Sequence, residues 1–181
     1  MCKIEYKQIL FLGVILLLVN GVFAQDRTWK TFSPTDKKWS ILAPGLMQPD
    51  EAARNPKSSE GTYAYNDYNG FFAVIYKNLG AVFSKGGHYR KQRDMVVKAN
   101  NGKLLKDEDF TNGKIKGREV YVRIPDTREI PRESNIKPAD RVQRFRMFFQ
   151  DGKIYILLVV LPEPDIDKPE ITNFLNSFSF R

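Results

Sequence analysis

The chain is poor in the residues that build metal centres and nucleophilic active sites. It has one cysteine, Cys2, and one histidine, His88, in 181 residues. A lone cysteine excludes an internal disulfide, and a lone histidine excludes a multi-histidine metal site. No Gly-x-Ser-x-Gly, P-loop or dinucleotide-binding pattern occurs. We therefore expect no metal, no cofactor and no catalytic residues, and we interpret His88 as a surface residue at the start of a helix.

Long apolar runs are also scarce, and the one that occurs lies near the beginning of the chain. Two lysines precede an uninterrupted apolar run from Ile9 to Val19, and Val22-Phe23-Ala24 follows it. A secretory signal has this order of basic start, apolar core and small residues before the cleaved bond. A membrane-spanning helix needs about 20 apolar residues, and here it would have to include Asn20. We predict a signal peptide over residues 1–24, with an uncleaved membrane anchor as the alternative.

Residues 25–181 are predicted to form a single domain, which export would place in the periplasm or outside the cell. The chain carries 29 Lys and Arg against 21 Asp and Glu, for a net charge of +8. Such a charge favours anionic partners. Outside the cytoplasm these are glycans, lipid headgroups and acidic proteins, so we expect an anionic envelope component or a protein partner and no nucleic acid. After cleavage the protein would not be an integral membrane protein. The alternative is that the charge only maintains solubility.

Three pairs of predicted strands are joined by Asn-Gly or Asp-Gly, the strongest short signal for a β-hairpin. The pairs are Thr62–Tyr68 with Phe71–Leu79, Leu104–Thr111 with Lys116–Ile124, and Arg141–Gln150 with Lys153–Leu161. The two-residue turn of the third hairpin fixes its register. It pairs Phe149 with Ile154, Met147 with Ile156, and Phe145 with Leu158. Because Ile154–Leu161 is apolar on both sides, we predict a central strand that is covered on both faces.

Two helices and one further strand are predicted. Residues 87–100 are rich in helix formers and end at Asn100-Asn101-Gly102, which is typical of a helix C-terminus. The last helix is predicted to begin after Asp167 as its N-cap. Its apolar positions follow helical spacing and are Ile171, Phe174, Leu175 and Phe178. A short strand covers Trp39–Leu42, and residues 48–61 and 125–140 are predicted loops.

Two groups of carboxylates in the sequence are candidate functional sites. Glu163, Asp165, Asp167 and Glu170 have the oxygen ligands that a hard cation prefers, but the EF-hand pattern is absent. We therefore expect capping by Asp167 rather than a calcium site. Asp107, Glu108 and Asp109 alternate along a predicted strand, so neighbours point to opposite faces. We interpret them as solvated residues at a sheet edge.

A basic and aromatic sheet face is the most promising binding site. Arg144 and Arg146 alternate with the apolar residues of their strand. Tyr155 lies on the partner strand of the third hairpin, opposite Phe148. If the strand Lys116–Ile124 lies alongside, Tyr121 and Arg123 join them. Arginine presents planar donors that suit carboxylate or phosphate, so these five residues are the predicted binding site. The alternative is that the arginine stems cover apolar surface while the guanidinium groups reach water.

The order of elements resembles that of the PsbP/Mog1-like superfamily. The resemblance rests on Phe32-Ser33-Pro34, on the run from Trp39 to Gly45, and on Phe174-Leu175-Asn176-Ser177-Phe178. It implies an α+β fold in which helices cover both faces of an antiparallel β-sheet. Its better-known members are noncatalytic, so it favours an exported binding or accessory domain. The alternative function is a small hydrolase or ligand carrier with a pocket between sheet and helices.

Overall fold

The computed structural model describes residues 27–35, 37–55, 57–67, 69–79, 85–126 and 140–181. The predicted signal peptide and most of the predicted 125–140 loop lie outside these residues. Within the described ranges there are three α-helices, α1 (Glu51–Arg54), α2 (Lys85–Ala99) and α3 (Pro169–Asn176). The strands are β1 (Lys30–Phe32), β2 (Trp39–Ala43), β3 (Gln48–Pro49), β4 (Gly61–Asn66), β5 (Phe71–Asn78), β6 (Lys103–Asn112), β7 (Ile115–Ile124), β8 (Arg141–Gln150), β9 (Lys153–Pro162) and β10 (Ser179–Phe180).

Seven strands form an antiparallel sheet in the order β3-β4-β5-β9-β8-β7-β6, and β1, β2 and β10 form a small second sheet. The predicted antiparallel sheet is therefore confirmed. Strand β9 is the middle strand of the large sheet, which explains why its sequence is apolar on both faces.

The hairpin turns match the sequence-based expectation to different degrees. The third hairpin has the predicted register, and its turn residues Asp151 and Gly152 have φ values of 48° and 72°. In the second hairpin Asn112 pairs with Ile115, so the turn falls one residue later than predicted. In the first hairpin the strands already close at Asn66 and Phe71. The two-residue turn predicted there is wrong. The Asp67 carboxylate accepts hydrogen bonds from the backbone N–H groups of Asn69 and Gly70 and so stabilises a wider connection.

The large sheet separates two apolar clusters. The first contains Trp39 of β2 and Phe174 of α3, packed against residues such as Phe72 and Tyr155. The second contains Val96 of α2, packed against Val120 and other residues of the opposite face. Strands of the small sheet thus cover much of the first face together with α3. The expectation that helices cover both faces of the sheet is therefore not confirmed.

The ends of the helices show which local predictions hold. Helix α2 ends as predicted, because Asn101 has a φ of 47° and the Gly102 N–H donates to the Val97 carbonyl at 2.8 Å. Helix α3 buries Ile171, Phe174 and Leu175 of its predicted apolar stripe, whereas Phe178 is buried but lies beyond the end of the helix. The N-cap is Lys168 and not Asp167. The predicted loop 48–61 contains β3 and α1, whose N-cap Asp50 accepts from the Ala53 N–H at 2.6 Å. No helix in the described ranges is long and apolar enough to span a membrane.

Candidate functional site

Arg144 and Arg146 lie two residues apart on β8, so both side chains point to the first face, beneath α3. They are 5% and 6% exposed. Between them lies Glu119 of β7, which is also buried. One oxygen of Glu119, Oε1, accepts a hydrogen bond from Arg144 Nε at 2.9 Å and from Arg146 Nε at 3.0 Å. We call these three residues the arginine cluster.

The remaining donors of the arginine cluster reach α3 and the segment before it. Arg144 Nη1 donates to the Ile166 carbonyl at 3.3 Å and to Thr172 Oγ1 at 3.2 Å. Arg146 Nη1 donates to Asn176 Oδ1 at 2.6 Å. These bonds join β7, β8 and α3, so the cluster holds the last helix on the sheet.

The two tyrosines of the predicted site are buried on the same face. Tyr121 lies beneath the Arg144 guanidinium, 5.0 Å from ring centroid to Cζ, and its hydroxyl donates to Asp167 at 3.2 Å. Burial is the main cause that raises the pKa of Tyr121. Tyr155 stacks on Phe148 with centroids 5.5 Å apart, and burial also raises its pKa. Both hydroxyls therefore stay protonated at neutral pH.

Arg123 is the most accessible of the five predicted residues. It forms an ion pair with Glu163, and its Nε has no hydrogen-bond partner among the described residues. The structure thus brings all five residues to one face but buries most of Arg144 and Arg146. Their guanidinium groups bind Glu119 and α3 instead of extending into water, so the alternative of stems covering a surface does not describe them. A binding role for the five residues stays a prediction.

Three of the four carboxylates that could hold a hard cation are engaged elsewhere. Glu163 pairs with Arg123, Asp165 with Lys168 at 2.7 Å, and Asp167 accepts from Tyr121. No group of three potential metal ligands gathers in the part of the chain that the structure describes.

Asp107 differs from the solvated edge residue expected from the sequence. It accepts from Arg93 Nη1 of α2 and from Arg118 Nη2 of β7, both at 2.6 Å. The carboxylate therefore links the second-face helix to the edge of the sheet. Alternation along the strand could not reveal this contact, because Arg93 belongs to another element.

His88 is buried, which corrects its interpretation as a surface residue. Its ring meets Phe149 edge-on with centroids 5.8 Å apart, and Gln92 Nε2 lies 3.3 Å from its Nε2. Burial, followed by the charges of Lys91 and Lys77, lowers the pKa of His88. The imidazole is therefore neutral at pH 7.

The outer side of α2 is the basic surface that sequence reasoning missed. Arg90, Lys91 and Lys98 are exposed, and none forms an ion pair with a described residue. The one acid on this helix, Asp94, pairs with Arg93 at 2.8 Å. We call these three cations the α2 basic face. The signal was present in the sequence, since the helix has five cations and one acid.

Comparisons with known proteins identify the fold. No protein-family model matches the chain, and no curated protein sequence matches it. The solution structure of PsbP (CyanoP) from Synechocystis matches with a TM-score of 0.58 and 12% identity, over 91% of this chain and 99% of that one. A Pseudomonas aeruginosa protein of unknown function matches with a TM-score of 0.46 and 11% identity, over 71% and 91%. The Saccharomyces cerevisiae Ran-binding protein Mog1p matches with a TM-score of 0.49 and 9% identity, over 85% and 96%.

The match to CyanoP shows that the chain has the PsbP/Mog1-like fold, which confirms the resemblance seen in the sequence. At this level of identity the likeness concerns the fold alone, because one fold serves many functions.

Proposed function

We propose that this protein is an exported, noncatalytic binding or accessory domain that engages an extended anionic partner through the α2 basic face. The observation that carries the proposal is the set of three exposed cations on α2 that form no ion pair with a described residue. The arginine cluster is less suited to this role, since Glu119 and α3 already occupy its donors.

The distribution of charge supports an extended partner. Lys98 lies eight positions after Arg90, which corresponds to about 12 Å along a helix. A single small anion cannot contact both ends of such a face, whereas a polyanionic glycan or a layer of lipid headgroups can. Other exposed cations without an ion pair to described residues add to the positive potential. They are Lys30, Lys38, Lys57, Lys103, Lys114 and Lys116.

Reversing the charge of the α2 basic face should strongly weaken binding to an anionic surface. The variant is Arg90→Glu, Lys91→Glu and Lys98→Glu, and the control is Lys30→Glu, Lys114→Glu and Lys116→Glu, which changes the net charge equally. Each cation near an anionic membrane contributes about 1 kcal/mol, so loss of three should weaken binding about a hundredfold. Cosedimentation with phosphatidylglycerol vesicles measures this, with phosphatidylcholine vesicles and dextran sulfate as further arms.

The control variant should keep most of the wild-type affinity, and binding should fall with salt. Preference for dextran sulfate over vesicles would identify a glycan-like partner. Equal losses in both triple variants would show that only net charge matters and would reject the α2 basic face. Failure of the wild type to bind any of the anionic probes would reject the anionic partner itself.

Export has its own test. If residues 1–24 are a cleaved signal, the protein purified from cells should have an intact mass that begins at Gln25. It should also be found in the envelope or the medium. A mature protein that retains Met1 would instead favour the uncleaved anchor.

A further inference from the structure

A groove that is open to solvent lies between the end of β1 and the segment after it on one side, and helix α1 with strands β3 and β4 of the large sheet on the other. Its volume is about 370 Å³, within the lower part of the range of about 300–1,000 Å³ typical of small-molecule sites. Its described lining is mostly apolar and includes three hydroxyl groups and one charged side chain. The lining residues are Phe32, Ser33, Pro34, Thr35, Met47, Pro49, Ala53, Arg54 and Tyr63.

The floor of the groove belongs to the packed core. Met47, Ala53 and Tyr63 are buried members of the first cluster. The Tyr63 ring lies 5.6 Å from that of Phe32, and its hydroxyl donates to the Ala53 carbonyl at 3.4 Å. The shape is therefore formed before any ligand arrives, which reduces the conformational entropy lost on binding.

Arg54 is the only charged residue among the described residues of this lining. It is the last residue of α1, it is exposed, and its side chain forms no hydrogen bond or ion pair with a described residue. The nearby Asp50 carboxylate faces the backbone N–H of Ala53 instead. A guanidinium group is a planar donor that matches a carboxylate with two hydrogen bonds.

We propose that this groove binds a small amphiphilic carboxylate. The apolar body of the ligand packs against Phe32, Met47 and Tyr63, and its carboxylate binds Arg54. Charge complementarity carries this assignment, because the described lining residues offer one cation without an ion pair to a described residue, beside an apolar floor, and include no acid. The lining also lacks His88, so the groove supports a carrier and not the hydrolase of the alternative function.

The groove and the α2 basic face are separate surfaces. The floor of the groove belongs to the first apolar cluster, whereas α2 packs on the second. Either proposal can therefore fail while the other holds.

Protein NMR with octanoate, 1-octanol and acetate tests the groove. Octanoate should shift the Met47 methyl signal and the amide signals of Ser33 and Thr35 in a saturable way. Since 1-octanol lacks the charge, it should bind about tenfold more weakly, and acetate should cause no saturable shifts. Arg54→Gln should reduce octanoate affinity about tenfold, to the level of 1-octanol, and should leave 1-octanol binding unchanged.

The matched control is Lys114→Gln, which removes an exposed cation without an ion pair to a described residue, in the turn between β6 and β7 at the edge of the large sheet opposite β3. It should leave octanoate binding unchanged. Ser33→Trp places a ring across the groove and should block both ligands. Equal affinity of the wild type for octanoate and 1-octanol, no saturable shifts with octanoate, or unchanged octanoate binding by Arg54→Gln would each overturn the proposal. The two wild-type titrations decide the question even if a variant fails to fold.

Discussion

Replacing Glu119 with alanine should lower the free energy of unfolding by about 3–5 kcal/mol, the usual effect of removing one partner from a buried ion pair. Glu119 is the buried carboxylate between Arg144 and Arg146, and its side chain is 7% exposed. Without it, two buried guanidinium groups lose the counter-charge that their Nε atoms contact. Urea unfolding measures the change, with the slope of the transition expected to stay constant.

Asp167 cannot replace the lost carboxylate. It lies 3.4 Å from Arg144 Nη1, but its side chain is 73% exposed, so water screens its charge. Its hydrogen bond from Tyr121 also ties it to the rim of the cluster. Glu119 is therefore the carboxylate that neutralises the buried guanidinium groups of Arg144 and Arg146.

Two further variants separate charge from hydrogen bonding and from packing. Glu119→Gln keeps an acceptor oxygen and should lose less stability than Glu119→Ala. The triple change Glu119→Leu, Arg144→Met and Arg146→Met removes every charge of the arginine cluster and should recover most of the loss, since apolar replacements of buried ion pairs are often neutral or stabilising. If the triple variant is less stable than Glu119→Ala, the arginine cluster stabilises the fold by more than the neutralisation of its own buried charges.

The surface control is Asp109→Ala. Asp109 pairs with Arg118 at 2.9 Å, but its side chain is 88% exposed. We expect a change of about 0–1 kcal/mol for such a pair. An equal loss for Asp109→Ala and Glu119→Ala would contradict the assignment of Glu119 as a buried counter-charge.

The features predicted correctly from the sequence are those that depend on short stretches of chain. The Asp151-Gly152 turn needs two residues with positive φ, and this requirement alone sets the register of β8 and β9. Alternation likewise placed Arg144 and Arg146 on the face opposite Phe145, as the structure has them. The apolar residues on both sides of Ile154–Leu161 predict its position at the centre of the sheet, where β9 lies.

The burial of these arginines could not be predicted in the same way, because it depends on contacts between distant segments. Glu119 lies 25 residues before Arg144, and Thr172 lies 28 residues after it. Alternation assigns a face but does not show what covers that face. For the same reason Asp167 was expected to cap α3, whereas tertiary contacts with Tyr121 and Arg144 engage its carboxylate.

Alanine at Gly117 should have the second large effect, a loss of about 3 kcal/mol or more, at the upper end of the range for overpacked cores. A Cβ at this position of β7 would overlap the backbone carbonyl oxygen of Met147 and approach Phe110 Cε1 to 2.8 Å. A side chain can relieve a clash by changing rotamer, but a carbonyl in the neighbouring strand moves only if the sheet deforms. The Phe110 ring cannot yield freely either, because the Arg146 guanidinium lies 4.8 Å from its centroid.

Gly86→Ala is the matched control for this effect. Gly86 lies in the first turn of α2, and an added Cβ would meet nothing within 4 Å. The same chemical change should therefore raise stability by about 0.4–1 kcal/mol, because alanine restricts the unfolded chain. Urea unfolding of both variants gives the comparison. A Gly117→Ala protein as stable as the wild type would show that β7 and β8 do not approach as closely as the structure has them, which would also weaken the placement of Glu119 between the two arginines.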